Sequence, residues 1–167
     1  MFGLTKKRRY KEFLRRAVKA VMQGGYLPPS DVQRLGLNEQ AKTELASRAD
    51  AIHLYLLNAI FVSLVGQQYK WATSQFVLEA IADVCAEYDR AFRRSPGRTA
   101  GHLVLYIQRI SEMSADEREA GKQFSDAIDE VGRLDPSVDS SELYQMLRGS
   151  AEQFYADVER KLREALA

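Results

Sequence analysis

With a single cysteine, Cys85, the chain cannot close an intramolecular disulfide. Small secreted domains usually carry several cysteines, so a reducing cytoplasm is the expected setting. The neighbours Ile81, Val84 and Tyr88 place Cys85 on an apolar helix face, where a thiol acts as a small buried hydrophobe. Two histidines, His53 and His102, give little material for a metal centre. Asp50 and His53 stand one helical turn apart. A di-metal bundle, however, needs two Glu-x-x-His motifs and further acids on facing helices. No metal and no cofactor is expected.

Catalytic signatures are missing as well. The chain has no Gly-x-Ser-x-Gly elbow, no phosphate-binding Walker loop and no Gly-x-Gly-x-x-Gly fingerprint. Glu79, Asp83 and Glu87 recur at i, i+4 and i+8, a spacing that could collect a cation or supply an acid–base pair. The apolar stripe of the same segment points elsewhere, so a solvated outer face is the expectation. The reading is a protein that binds rather than catalyses, with an enzyme of unfamiliar site as the alternative.

A long hydrophobic run is lacking too. The most apolar stretch, Ile52 to Val65, is interrupted by His53, Asn58 and Ser63. It is shorter than the roughly 20 apolar residues a bilayer crossing requires, and a central core helix is expected. The N-terminal residues are basic but are followed by no secretory apolar segment.

What the chain does have is helical periodicity and lopsided charge. Size and an apolar fraction of 46% suit one globular domain over residues 1–167. No alternating strand pattern, internal repeat or low-complexity segment appears. The fold class expected is an all-α, single-domain helical bundle of about five to six helices.

A first helix is predicted from Leu4 to Gln23. Tyr10, Phe13, Leu14, Ala17, Val18, Val21 and Met22 share one face, and Gly24-Gly25 ends it. Ser30 and Gln33 read as a capping box for a short helix. Asn38 caps a long helix reaching about Val65. A further helix spans about Trp71 to Arg93, with Leu78, Ile81, Val84, Cys85, Tyr88 and Phe92 inward, and Ser95-Pro96-Gly97 closes it. Ala100 to Met113 follows, with Leu103, Tyr106, Ile107 and Ile110 inward. Ser114 and Glu117 form a second capping box, opening a helix from Ala115 to Leu134. The last helix, about Ser141 to Leu166, carries Leu143, Leu147, Ala151, Phe154, Val158 and Leu162 on one face.

Residues 1–20 hold eight Lys/Arg and one acid, while the other 147 hold sixteen and twenty-two, so a net +7 faces a net −6. Arg8, Arg9, Arg15, Arg16 and Lys19 belong to this basic amphipathic segment, residues 1–23, which could be semi-independent. Lys7 and Lys11 fall on or beside its apolar face.

Docked on the protein's own core, the basic helix would set its cations against residues 111–167, where fourteen acids outnumber seven bases. Free, it could contact nucleic acid through phosphates, helped by Arg90, Arg93, Arg94 and Arg98 if that loop lies near it. It could also lie on an anionic membrane, with Phe2 and Phe13 inserted. Tyr69 and Trp71 lie at a helix–helix turn, and such aromatics are enriched at interface hot spots. They could equally close the end of a bundle.

By elimination the expected function is a non-catalytic protein–protein interaction module of adaptor, chaperone or toxin-neutralising type. Its candidate partner-binding residues are Arg8, Arg9, Arg15, Arg16, Lys19, Tyr69 and Trp71. Nucleic acid or an anionic membrane surface is the alternative partner.

Overall fold

A computed structural model describes residues 2–167, with side chains described from Thr5 onward. The described residues form eight α-helices and no strand: α1 Phe2–Met22, α2 Pro29–Arg34, α3 Glu39–Leu64, α4 Ser74–Ala91, α5 Arg98–Glu112, α6 Ala115–Glu119, α7 Lys122–Leu134 and α8 Ser140–Leu166. The helical class is as expected, but the count is eight rather than five or six. One reason is local. Gly121 sits at φ +81, in the left-handed region that L side chains rarely adopt. It breaks the segment expected to run unbroken from Ala115 to Leu134 into α6 and α7.

Caps set most of the other boundaries. The Asn38 side chain accepts from the Ala41 amide at 2.8 Å and starts α3. Ser114 and Glu117 form the reciprocal capping box at α6. Asp139 accepts from the amides of Ser141 and Glu142 and starts α8. At α2 the expected Ser30–Gln33 box does not form. The helix begins at Pro29, whose fixed φ and missing N–H suit a first helical position, so Ser30 already lies inside the first turn. Thr73 caps α4, which therefore starts at Ser74 and leaves Trp71 in the preceding turn.

α3 packs against α1, α4, α5, α7 and α8. That explains why its second half is apolar almost all round. It is long and apolar enough to cross a membrane by length and composition, and half of its most apolar window is buried inside the fold. Two hydrophobic clusters lie along it. One joins Leu14 and Val18 of α1, Leu54 and Phe61 of α3, Val77 and Ile81 of α4, Ile107 of α5, and Phe154 and Val158 of α8. The other joins Leu45 and Ile52 of α3, Phe124 and Val131 of α7, and Leu143 and Leu147 of α8. α8 runs through both, and all six of its predicted inward residues are buried. Phe92 departs from the predicted inward stripe of α4. It lies one residue past the helix end and is 61% exposed.

Candidate functional site

The basic face of α1 is docked on α4. Tyr10, Leu14, Val18 and Val21 are buried in the core, and the flanking cations reach the carboxylates of α4. Lys11 Nζ lies 3.1 Å from Asp83 Oδ2, and Lys19 Nζ lies 2.9 Å from Glu87 Oε2. The Arg15 guanidinium bridges Asp83 and Glu87. Arg15 and Lys19 together hold the Glu87 carboxyl below the usual carboxylate range. The Lys7 ammonium stands 5.6 Å from the centre of the Phe76 ring. The seam thus uses Asp83 and Glu87, not the acids of residues 111–167. Two of the three acids of the stripe expected to be solvated form a docking strip for α1.

The candidate residues of α1 therefore divide. Arg15 and Lys19 are spent on this seam, while the exposed Arg16 pairs with Glu12 on its own helix. Arg8 and Arg9 are exposed and make no ion pair among the described residues. Phe13 packs against the core. The side chain of Phe2, the other expected membrane-insertion residue, lies outside the described residues.

Tyr69 and Trp71 close the end of the bundle beside Arg9. Their rings stack at 5.3 Å, Tyr10 lies 5.9 Å from Trp71, and Phe76 meets Trp71 edge-on at 5.1 Å. Lys6 Nζ donates to the Tyr69 hydroxyl at 3.0 Å. Both rings are partly buried. Packing against Tyr10 and Phe76 takes up much of their contact surface.

At the opposite end of α4 the chain makes a basic turn. Arg90, Arg93, Arg94 and Arg98 are all exposed around Phe92, and none pairs with a carboxylate among the described residues. The turn is tied down from beneath. Asp89 is buried, and its carboxylate accepts from the Thr99 hydroxyl at 2.5 Å and from the Thr99 amide at 3.2 Å. These bonds hold its carboxyl below the usual range. Arg93 is held at φ +51, an uncommon conformation for a residue with a side chain. Arg94 stacks over the Phe92 ring at 5.3 Å.

Behind this turn lies a cleft of about 550 Å³ between α3, α4 and α5. Asp50 of α3 lines it together with Tyr88, Phe92, Arg94, Arg98 and His102. Burial pushes the Asp50 carboxyl up to about 7, and no donor among the described residues relieves it. His53, one turn further on, does not share the cleft. Its Nε2 meets Ser150 Oγ at 2.8 Å, and Tyr26 and Phe154 pack on its ring. It is a hydrogen-bonded core histidine, as its apolar setting in the sequence implied. Burial likewise pushes the Cys85 thiol up to about 11, so it stays protonated at neutral pH.

The residues that sequence reasoning passed over are Asp50, as a cleft group, and Phe92, which was placed in the core. The sequence offers the arginines of the turn as phosphate contacts, without Phe92 among them. No signal in the linear sequence joined Asp50 to it.

The chain matches no protein-family model, no curated protein and no solved structure.

Proposed function

We propose that this protein is a non-catalytic protein–protein interaction module, of the adaptor, chaperone or toxin-neutralising kind, acting in the cytoplasm. Its contact surface is the turn between α4 and α5, and its partner offers an acidic segment. One observation carries the reading: Phe92 stands 61% exposed among four arginines that form no ion pair among the described residues. An aromatic anchor ringed by arginine is the composition that dominates binding energy at interfaces. Unpaired cations on a surface favour a partner of opposite charge and speed its approach. The Asp89–Thr99 bonds add pre-organisation, because a turn already fixed loses little entropy on binding.

The test is a photo-crosslinking residue placed at position 92, and separately at position 8, in the full-length chain in native cells. The expected result is a protein crosslinked from position 92 through a peptide rich in Asp and Glu. Arg90→Glu with Arg93→Glu should abolish it. Crosslinks only from position 8, or crosslinks insensitive to that charge reversal, would overturn the reading.

Exposure of Arg8 and Arg9 supports a second reading, contact with nucleic acid through the start of α1. It is the weaker one, because Lys11, Arg15 and Lys19 are already neutralised by α4. Membrane insertion is weaker still, since the apolar face of α1 is occupied by the core. Heparin binding that falls steeply with salt and is lost in Arg8→Glu/Arg9→Glu would favour the nucleic-acid reading.

A further inference from the structure

We infer that the cleft between α3 and the α4–α5 turn binds a mononucleotide, with the phosphate on Arg94, Arg98 and His102 and the base edge on Asp50. The cleft has the volume of a small-ligand site, about 550 Å³. Its lining asks for two opposite chemistries. On α3, Asp50 is a half-buried carboxyl that accepts from no donor among the described residues. Its carboxylate oxygens are therefore open to an N–H that a ligand brings into the cleft. On the α5 side, Arg98 and His102 sit one helical turn apart and Arg94 joins them from the turn. None of the three pairs with a carboxylate among the described residues. Guanidinium forks match phosphate oxygens in geometry as well as in charge.

The middle of the cleft fits the rest of such a ligand. Tyr88 and Phe92 line one wall, their ring centres 5.8 Å apart. Aromatic faces of this kind take a stacked base. Thr43 and Ser47 of α3 add hydroxyls to the same lining, partners for a ribose. A bare metal ion does not suit a site whose rim is cationic. A simple phosphate would leave both Asp50 and the aromatic wall unused.

This inference does not rest on the partner reading. The partner reading is tested at Arg90 and Arg93, which do not line the cleft, whereas Phe92, Arg94 and Arg98 belong to both surfaces. The experiment is a backbone-amide NMR titration of the full-length chain with AMP, CMP, GMP and UMP, and then with the matching nucleoside and with ribose 5-phosphate. At least one nucleotide should shift the resonances of residues 43–50 and 98–103. Its nucleoside and ribose 5-phosphate should each bind about tenfold more weakly, as expected for losing one charge-assisted or stacked contact set. Arg98→Ala should weaken the nucleotide but not the nucleoside, and Asp50→Ala should weaken both. Neither side chain makes a hydrogen bond or ion pair among the described residues, so both variants should keep the wild-type spectrum elsewhere. No shift from any of the four nucleotides at about 5 mM, a concentration at which even a millimolar complex is mostly formed, overturns the inference. So does equal binding of ribose 5-phosphate, or a shift pattern outside the cleft.

Discussion

Asp50 and His53 stand one turn apart on α3, and burial moves their proton affinities in opposite directions. The His53 ring is held at about 4, below its ordinary 6.5, so it stays neutral between Tyr26 and Phe154. Ser150 Oγ donates to the Tyr26 carbonyl at 2.7 Å, so its one hydrogen is committed. His53 Nε2 must then be the donor in the 2.8 Å bond to Ser150. Asp50 is held at about 7, above its ordinary 3.8.

The signs follow by linkage. His53 contributes stability that is fully present above 6.5 and is lost as pH falls towards 4. Asp50 contributes stability that is fully present below 3.8 and is lost as pH rises towards 7. Over the shared window the two slopes offset each other. Asp50→Asn removes one of them. Between pH 4.5 and 6.5 the variant should gain about 3 kcal/mol relative to wild type, at about 1.4 kcal/mol per pH unit. Denaturant titrations at three pH values check this, and parallel curves for the two proteins would contradict it.

The α1–α4 seam separates what attracts from what holds. Leu14 is fully buried, whereas the side chains of Arg15, Asp83 and Glu87 are 26, 43 and 33% exposed. Leu14→Ala should cost about 2–5 kcal/mol, the range for a buried leucine. Arg15→Ala should cost about 1 kcal/mol or less and should cost less still at high salt. Urea titrations at low and high salt measure both. A larger loss from Arg15 than from Leu14 would mean that charge, not burial, holds the helix. Deleting residues 1–22 would strip Tyr10, Leu14, Val18 and Val21 from the core, so point variants are the cleaner probe of the basic helix.

The elements legible in the sequence are those set by short-range chemistry. Asn38 and the Ser114–Glu117 box act within four residues of themselves, and the apolar stripes of α1, α5 and α8 need only their own periodicity. The seam was hidden because charge totals average over helices. They pointed to residues 111–167, but the helix whose apolar face is seated beside α1 decides which acids it meets. Asp83 and Glu87 repeat at four residues, as do Lys11, Arg15 and Lys19, and that matched spacing was the overlooked clue. The cleft was hidden for a stronger reason. Asp50 and Arg98 are seen to line one cleft only once the order of the helices in space is known.

Gly121 offers a test of why α6 and α7 are two helices. A Cβ built there would lie 2.6 Å from the Tyr144 hydroxyl, and the φ of +81 strains any L side chain. The break is therefore tied to α8 as well as to the local backbone. Gly121→Ala should cost about 1–2 kcal/mol from the left-handed conformation alone, with the displaced Tyr144 adding to it. Tyr144→Phe in the same background should recover only the part due to the hydroxyl. A neutral Gly121→Ala would mean that the segment straightens into the single helix its sequence suggests.

The Asp89–Thr99 bonds are the feature on which the α4–α5 turn depends, and amide hydrogen exchange reads them directly. The Thr99 amide is donated to a carboxylate that is itself shielded from water, so it should exchange slowly for a residue at a helix start. Asp89→Ala removes the acceptor and leaves the Thr99 hydroxyl and amide without it. Exchange should accelerate at Thr99 and through residues 92–98, while the amides of α3 and α8 keep their wild-type rates. Asp89→Asn keeps one acceptor oxygen and should fall between the two. If Asp89→Ala left the turn as protected as before, the rigidity of Phe92 and its arginines would have to come from Pro96 and the helix ends. If protection were lost across α3 as well, Asp89 would be holding the fold rather than the turn.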